Sequence, residues 1–84
     1  MDKAITKVTF THHQVTRGNE ISGPTDILRT ETVHIDGLVE WQVRGTDDDG
    51  YVNKRGTRRA EIPAPLDLDS VIRARRGMGW NVVR

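Results

Sequence analysis

Among the residues of this chain whose types and spacing could do chemistry, the cations of "NKRGTRRAEIP", residues 53–63, stand out first. Lys54, Arg55, Arg58 and Arg59 fall within six positions, and Arg73, Arg75 and Arg76 follow further on. Guanidinium and ammonium groups at this density can neutralise phosphates or carboxylates. Two readings fit them: a surface for an acidic protein partner, and a phosphate-binding surface on which Tyr51 or Trp80 stacks on a base. The bland account is a solvated strand face. For Arg75 it is an alkyl stem lying over core, and cations in a last helical turn are favoured by the helix dipole alone.

Other chemistry has weaker support. His12 and His13 are adjacent in a stretch that reads as a strand, so they point to opposite faces and cannot chelate one metal together. With no cysteine in the chain, zinc-ligand spacing is missing, and no metal site is expected. Asp47, Asp48, Asp49 and Gly50 invite a calcium reading. However, an EF-hand register counted from Gly50 would need its first and last ligands at Gly45 and Gly56, so a polar turn is the better assignment. The only serines are Ser22, in a turn-rich loop, and Ser70, in a first helical turn, where capping accounts for it. Glu31 and Glu40 can be drawn as a diagonal carboxylate pair, but neighbouring Arg29 and Arg44 point to ordinary cross-strand charge pairing. "RRGMGW" does not open a helix after a strand, so no phosphate loop is indicated. No catalytic residue, no cofactor and no small-molecule substrate is expected.

The elements that must position these residues belong to one small domain spanning 1–84. With 84 residues, 35% of them hydrophobic and only four aromatics (Phe10, Trp41, Tyr51 and Trp80), the core must be small. Domains with so little core often gain stability by association. Net charge is +1 but uneven: residues 1–50 hold five Lys/Arg against nine Asp/Glu, and residues 51–84 hold eight against three. No apolar run reaches signal-peptide or membrane-span length, which predicts an intracellular, cytoplasmic protein with no membrane partner.

Residues 4–16, "AITKVTFTHHQVT", read as a strand rich in Val, Thr and Phe. The strongest local signal is a hairpin over 26–45 around Asp36-Gly37, read as a two-residue turn. That turn pairs Ile35 with Leu38, His34 with Val39 and Thr32 with Trp41. It predicts a core face of Leu28, Thr30, Thr32, His34, Val39, Trp41 and Val43. The opposite face is charged but ends in an apolar cluster, Val33, Ile35 and Leu38, which needs a cover from this chain or a partner. "GTDDDG" is a second turn, followed by a short strand at Tyr51-Val52 and then a bend at Gly56. A helix over about 67–76 is predicted, with Asp67 as N-cap, a Leu66–Val71 staple, an apolar stripe of Leu68, Val71 and Ile72, an Asp69–Arg73 pair and Gly77 as the stop. Trp80, Val82 and Val83 close the chain as a strand.

The fold class expected is therefore α+β: a small, mostly antiparallel sheet of four to five strands, one C-terminal helix and a short closing strand. The leading functional expectation is a non-enzymatic binding or assembly module acting through protein contacts, as a homo-oligomer or a subunit of a larger complex. Small virion or mobile-element proteins fit this description. Val33, Ile35 and Leu38 would supply apolar contacts, and Lys54, Arg55, Arg58, Arg59, Arg73 and Arg76 the charge. The alternative is a nucleic-acid-binding protein that places the same cations on phosphates.

Overall fold

The computed structural model describes residues 5–83, so Ala4, the first residue of the expected strand, lies outside them. The elements are β1 (Lys7–Thr16), β2 (Thr25–His34), β3 (Leu38–Asp47), β4 (Gly50–Arg59), α1 (Leu68–Gly77) and β5 (Asn81–Val83). They form the expected α+β architecture, a five-stranded antiparallel sheet in the order β4-β3-β2-β1-β5 with one C-terminal helix. No helix among the described residues is long and apolar enough to cross a membrane.

The hairpin register differs from the expectation by one residue. Val33 pairs with Val39, not Glu40, because the connection is three residues, Ile35-Asp36-Gly37, instead of two. A two-residue type I′ turn needs positive φ at both central positions, and Asp36 does not adopt it. Instead the Gly37 N–H donates to the His34 carbonyl at 3.0 Å, and Gly37 takes the left-handed conformation at φ 96. The Asp36 carboxylate accepts from the Leu38 N–H at 3.0 Å, holding the turn. One inserted residue turns a whole strand over, since side chains alternate. Val39, Trp41 and Val43 keep the helix-side face, but on β2 that face belongs to Ile27, Arg29, Glu31 and Val33. Leu28, Thr30, Thr32 and His34 face the other way.

The turn is covered from within the chain. The Leu66 N–H donates to the Ile35 carbonyl, and the Ala60 N–H to the Gly37 carbonyl, both at 2.8 Å. Val33, 2% exposed, is a core side chain, and Ile35 packs against the same core through the segment that leads into α1. That core joins Val8, Phe10, Val33, Val39, Leu66, Leu68 and Ile72, with Val71, Trp80 and Val82 at its rim. Ile27 is buried outside this cluster.

Asp67 caps α1: its side chain accepts from the Ser70 N–H, and the Ser70 hydroxyl donates to its other oxygen at 2.8 Å. These two bonds, hydroxyl first, hold the Asp67 carboxyl below its ordinary value. Leu66 and Val71 both reach the core, as a staple requires. The Asp69–Arg73 pair does not form among the described residues; Arg73 instead donates to the Ser70 hydroxyl at 3.1 Å. The helix runs through Gly77, and the left-handed residue that ends it is Gly79, φ 91.

β4 is the largest departure from expectation. It is ten residues long, not a two-residue strand followed by a bend. Gly56 lies inside it, opposite Trp41, and a Cβ at Gly56 would meet the indole at 2.9 Å. The glycine makes room for a ring instead of breaking the strand.

Candidate polyanion-binding face

Side-chain alternation divides the sheet into two unlike faces. The helix-side face carries the core at one end. The other is covered by no element of the described chain, and along its strands it shows Lys7, Thr9, Thr11, His13 and Val15; Asp26, Leu28, Thr30, Thr32 and His34; Leu38, Glu40, Gln42, Arg44 and Thr46; Tyr51, Asn53, Arg55, Thr57 and Arg59. None of these residues is buried.

The register sets them in rows across the strands. One row runs Thr11, Thr30, Gln42, Arg55, and the next His13, Leu28, Arg44, Asn53. Two adjacent grooves follow. One is lined by Thr30, Thr32, Glu40, Gln42, Arg55 and Thr57. The other is lined by His13, Asp26, Leu28, Arg44, Thr46 and Tyr51. Uncharged hydrogen-bonding groups predominate, with Thr9 and Thr32 hydroxyls 2.9 Å apart and the Gln42 amide 3.4 Å from Asn53 Oδ1.

Four Lys/Arg (Lys7, Arg44, Arg55 and Arg59) share this face with two carboxylates, Asp26 and Glu40. Each carboxylate contacts a histidine: His13 Nε2 to Asp26 at 2.6 Å, and His34 Nε2 to Glu40 at 2.7 Å. Among the described residues, Arg44 and Arg55 enter no ion pair. Arg59 donates to the Asp36 carbonyl at 2.8 Å, which fixes its side chain beside the hairpin turn.

The sequence-selected residues therefore separate. Of the apolar three, Val33 is in the core, Ile35 is at the core rim, and only Leu38, half-buried, stands on the open face. Of the cations, Arg55 and Arg59 stand on the open face, while Lys54 and Arg58 stand on the helix side of β4. Arg73 and Arg76 are exposed on α1, on that same helix side. Arg58 is already engaged, since its Nη2 lies 2.9 Å from Glu31 Oε1, which also meets Arg75 Nη2 at 2.8 Å. Arg75 lies across the core rim, 5.7 Å from the Phe10 ring centroid and 5.1 Å from that of Trp80. Glu31 and Glu40 point to opposite faces and form no pair. His12 and His13 also diverge, with His12 tilted against Trp80 at 5.4 Å, and no three metal-ligating side chains converge among the described residues.

Sequence reasoning missed Lys7, Arg44 and the threonine rows as parts of one surface. The available signal was the repeat of Thr at 9 and 11 and at 30 and 32, which gives β1 and β2 one polar face each. The misplaced turn put Thr30 and Thr32 on the core side.

No protein-family model matches this chain, and the searches of curated proteins and of solved structures return no match.

Proposed function

We propose that this chain is a non-enzymatic binding module that takes a polyanionic partner on the open face of its sheet. The observation that carries this reading is the pair Arg44 and Arg55, without an ion pair among the described residues, set among uncharged donors on a face that no element covers. Two guanidinium groups beside hydroxyls and amides form charge-assisted bonds to phosphate or sulfate oxygens. Stable protein interfaces instead have an apolar centre depleted of charge. On this face the apolar side chains form no central patch: Val15 and Tyr51 stand at opposite ends of one row, Leu28 in the next row, and Leu38 toward the other end of the sheet.

The test is binding to inorganic polyphosphate as a function of salt. Replacing both Arg44 and Arg55 by alanine should weaken binding and reduce the slope of log K against log salt by roughly two. Replacing Arg73 and Arg76, on α1, should leave both nearly unchanged. If the α1 pair matters and the face pair does not, the working surface is misassigned.

A second reading, assembly with protein partners, is favoured by the outer edge of β4. Ten residues long, it is paired only on its β3 side, and an extended segment could add to it. Lys54, Arg55, Arg58 and Arg59 would oppose one another if two copies paired antiparallel through this edge, so the edge suits an acidic segment better than a second copy. Light scattering at low and high salt tests the second-copy form of this reading, since an oligomer that persists at high salt supports assembly despite the like charges on the edge.

A further inference from the structure

We infer that the polyanion is a single-stranded nucleic acid, running along β3 and β4 with phosphates at Arg55 and Arg44 and a base on the ring of Tyr51; this rests on the polyanion reading of the same face. Tyr51 is 71% exposed and lines the same groove as Arg44 and Leu28. To a bare phosphate chain or a polyglutamate chain, the guanidinium and the tyrosine hydroxyl offer hydrogen bonds, but the flat face of the ring has no counterpart. That face does offer a platform to a base, whose flat apolar surface stacks on a ring while its phosphate meets the cation.

The rest of the face agrees with this occupant. Between Arg55 and the far side of the sheet run Gln42, Thr30 and Thr11, uncharged groups that bond to sugars, base edges and phosphates alike. The two carboxylates, which would repel phosphates, are each in contact with a histidine. A duplex fits less well. Reading it needs a helix or ribbon that enters a groove, and α1 lies on the opposite side of the sheet. A broad polar sheet face accommodates bases that are already unstacked.

The experiment measures fluorescence anisotropy at one fixed salt with four labelled probes: oligothymidylate, its duplex with oligoadenylate, polyphosphate and polyglutamate of matched charge. The expected order places oligothymidylate tightest. Tyr51→Ala should lower its affinity about fivefold or more and leave polyphosphate unchanged, while Tyr51→Phe should retain it. Circular dichroism checks that both variants fold. Equal binding of oligothymidylate and polyphosphate, with no effect of Tyr51→Ala, overturns this inference and leaves the polyanion reading standing. Tightest binding to the duplex or to polyglutamate also overturns it, the latter in favour of an acidic protein. Binding to no probe overturns both readings.

Discussion

At the scale of single residues, Glu31 ties the molecule together. It is 16% exposed, and one of its oxygens meets Arg58 from β4 and Arg75 from α1, while Arg75 covers Phe10 and Trp80. Removing the carboxylate would leave a guanidinium, itself only 17% exposed, against aromatic rings without a counter-charge. Glu31→Ala should therefore destabilise the fold by about 2 kcal/mol, seen in urea as a lower midpoint with an unchanged slope. Asp67 acts at the helix terminus, and its carboxyl is held low by the Ser70 hydroxyl and N–H. A depressed carboxylate stabilises the folded state above its ordinary value of 3.8, and that contribution is lost as pH falls through and below this value. Comparing Asp67→Ala with the parent chain, the stability difference measured near neutrality should shrink on acidification through this range. A difference that stays constant or grows in acid would contradict the capping account.

At the scale of elements, the sequence reading succeeds where patterns are local and fails where one residue decides a register. Asp67, the Leu66–Val71 staple and the apolar stripe define the start of α1 within the few residues from Leu66 to Ile72, so the helix is legible. The hairpin is also legible, but its faces are not. "DG" fits a two-residue turn and equally a three-residue turn in which only the glycine is left-handed, and the choice moves every side chain of β2 across the sheet. The longer turn makes contacts that local sequence does not reveal: the Gly37 carbonyl accepts from the Ala60 N–H, and the Asp36 carbonyl from Arg59. β4 was hidden for a different reason. It is an edge strand with little apolar alternation, and Trp41 packs over Gly56, a residue that reads as a breaker. The candidate face inherits both errors, which is why its cations were visible as a run but not as a surface. The turn itself is testable: Gly37→Ala places a side chain at φ 96, near Arg59 and Ala64. This should cost about 1–2 kcal/mol, read as a lower midpoint in thermal or urea unfolding.

At the scale of the whole molecule, the sheet is longer than its cover. The described chain measures 54 × 24 × 22 Å with a radius of gyration of 15.3 Å, against about 12 Å for a compact chain of this size. The core gathers where β1 begins, β2 ends and β3 begins, and α1 packs there against β1 and β5. The opposite ends of the strands, around Thr16, Thr25, Asp47 and Gly50, project away from it, with Ile27 as the only buried large apolar side chain in that half. Backbone bonds without a packed layer open at low free energy. Amide exchange should therefore be slow at Val8, Phe10, Val33 and Val39 and faster toward Thr46 and Tyr51, despite continuous pairing. Tyr51 and Arg44, the proposed stacking and charge contacts, both belong to the exposed half. A ligand that binds there would brace the part of the sheet that the core does not reach. Saturating oligothymidylate should consequently slow exchange in β3 and β4 near Arg44 and Tyr51 more than at Val33 or Val39. Uniform slowing would instead report only mass-action stabilisation of the whole fold.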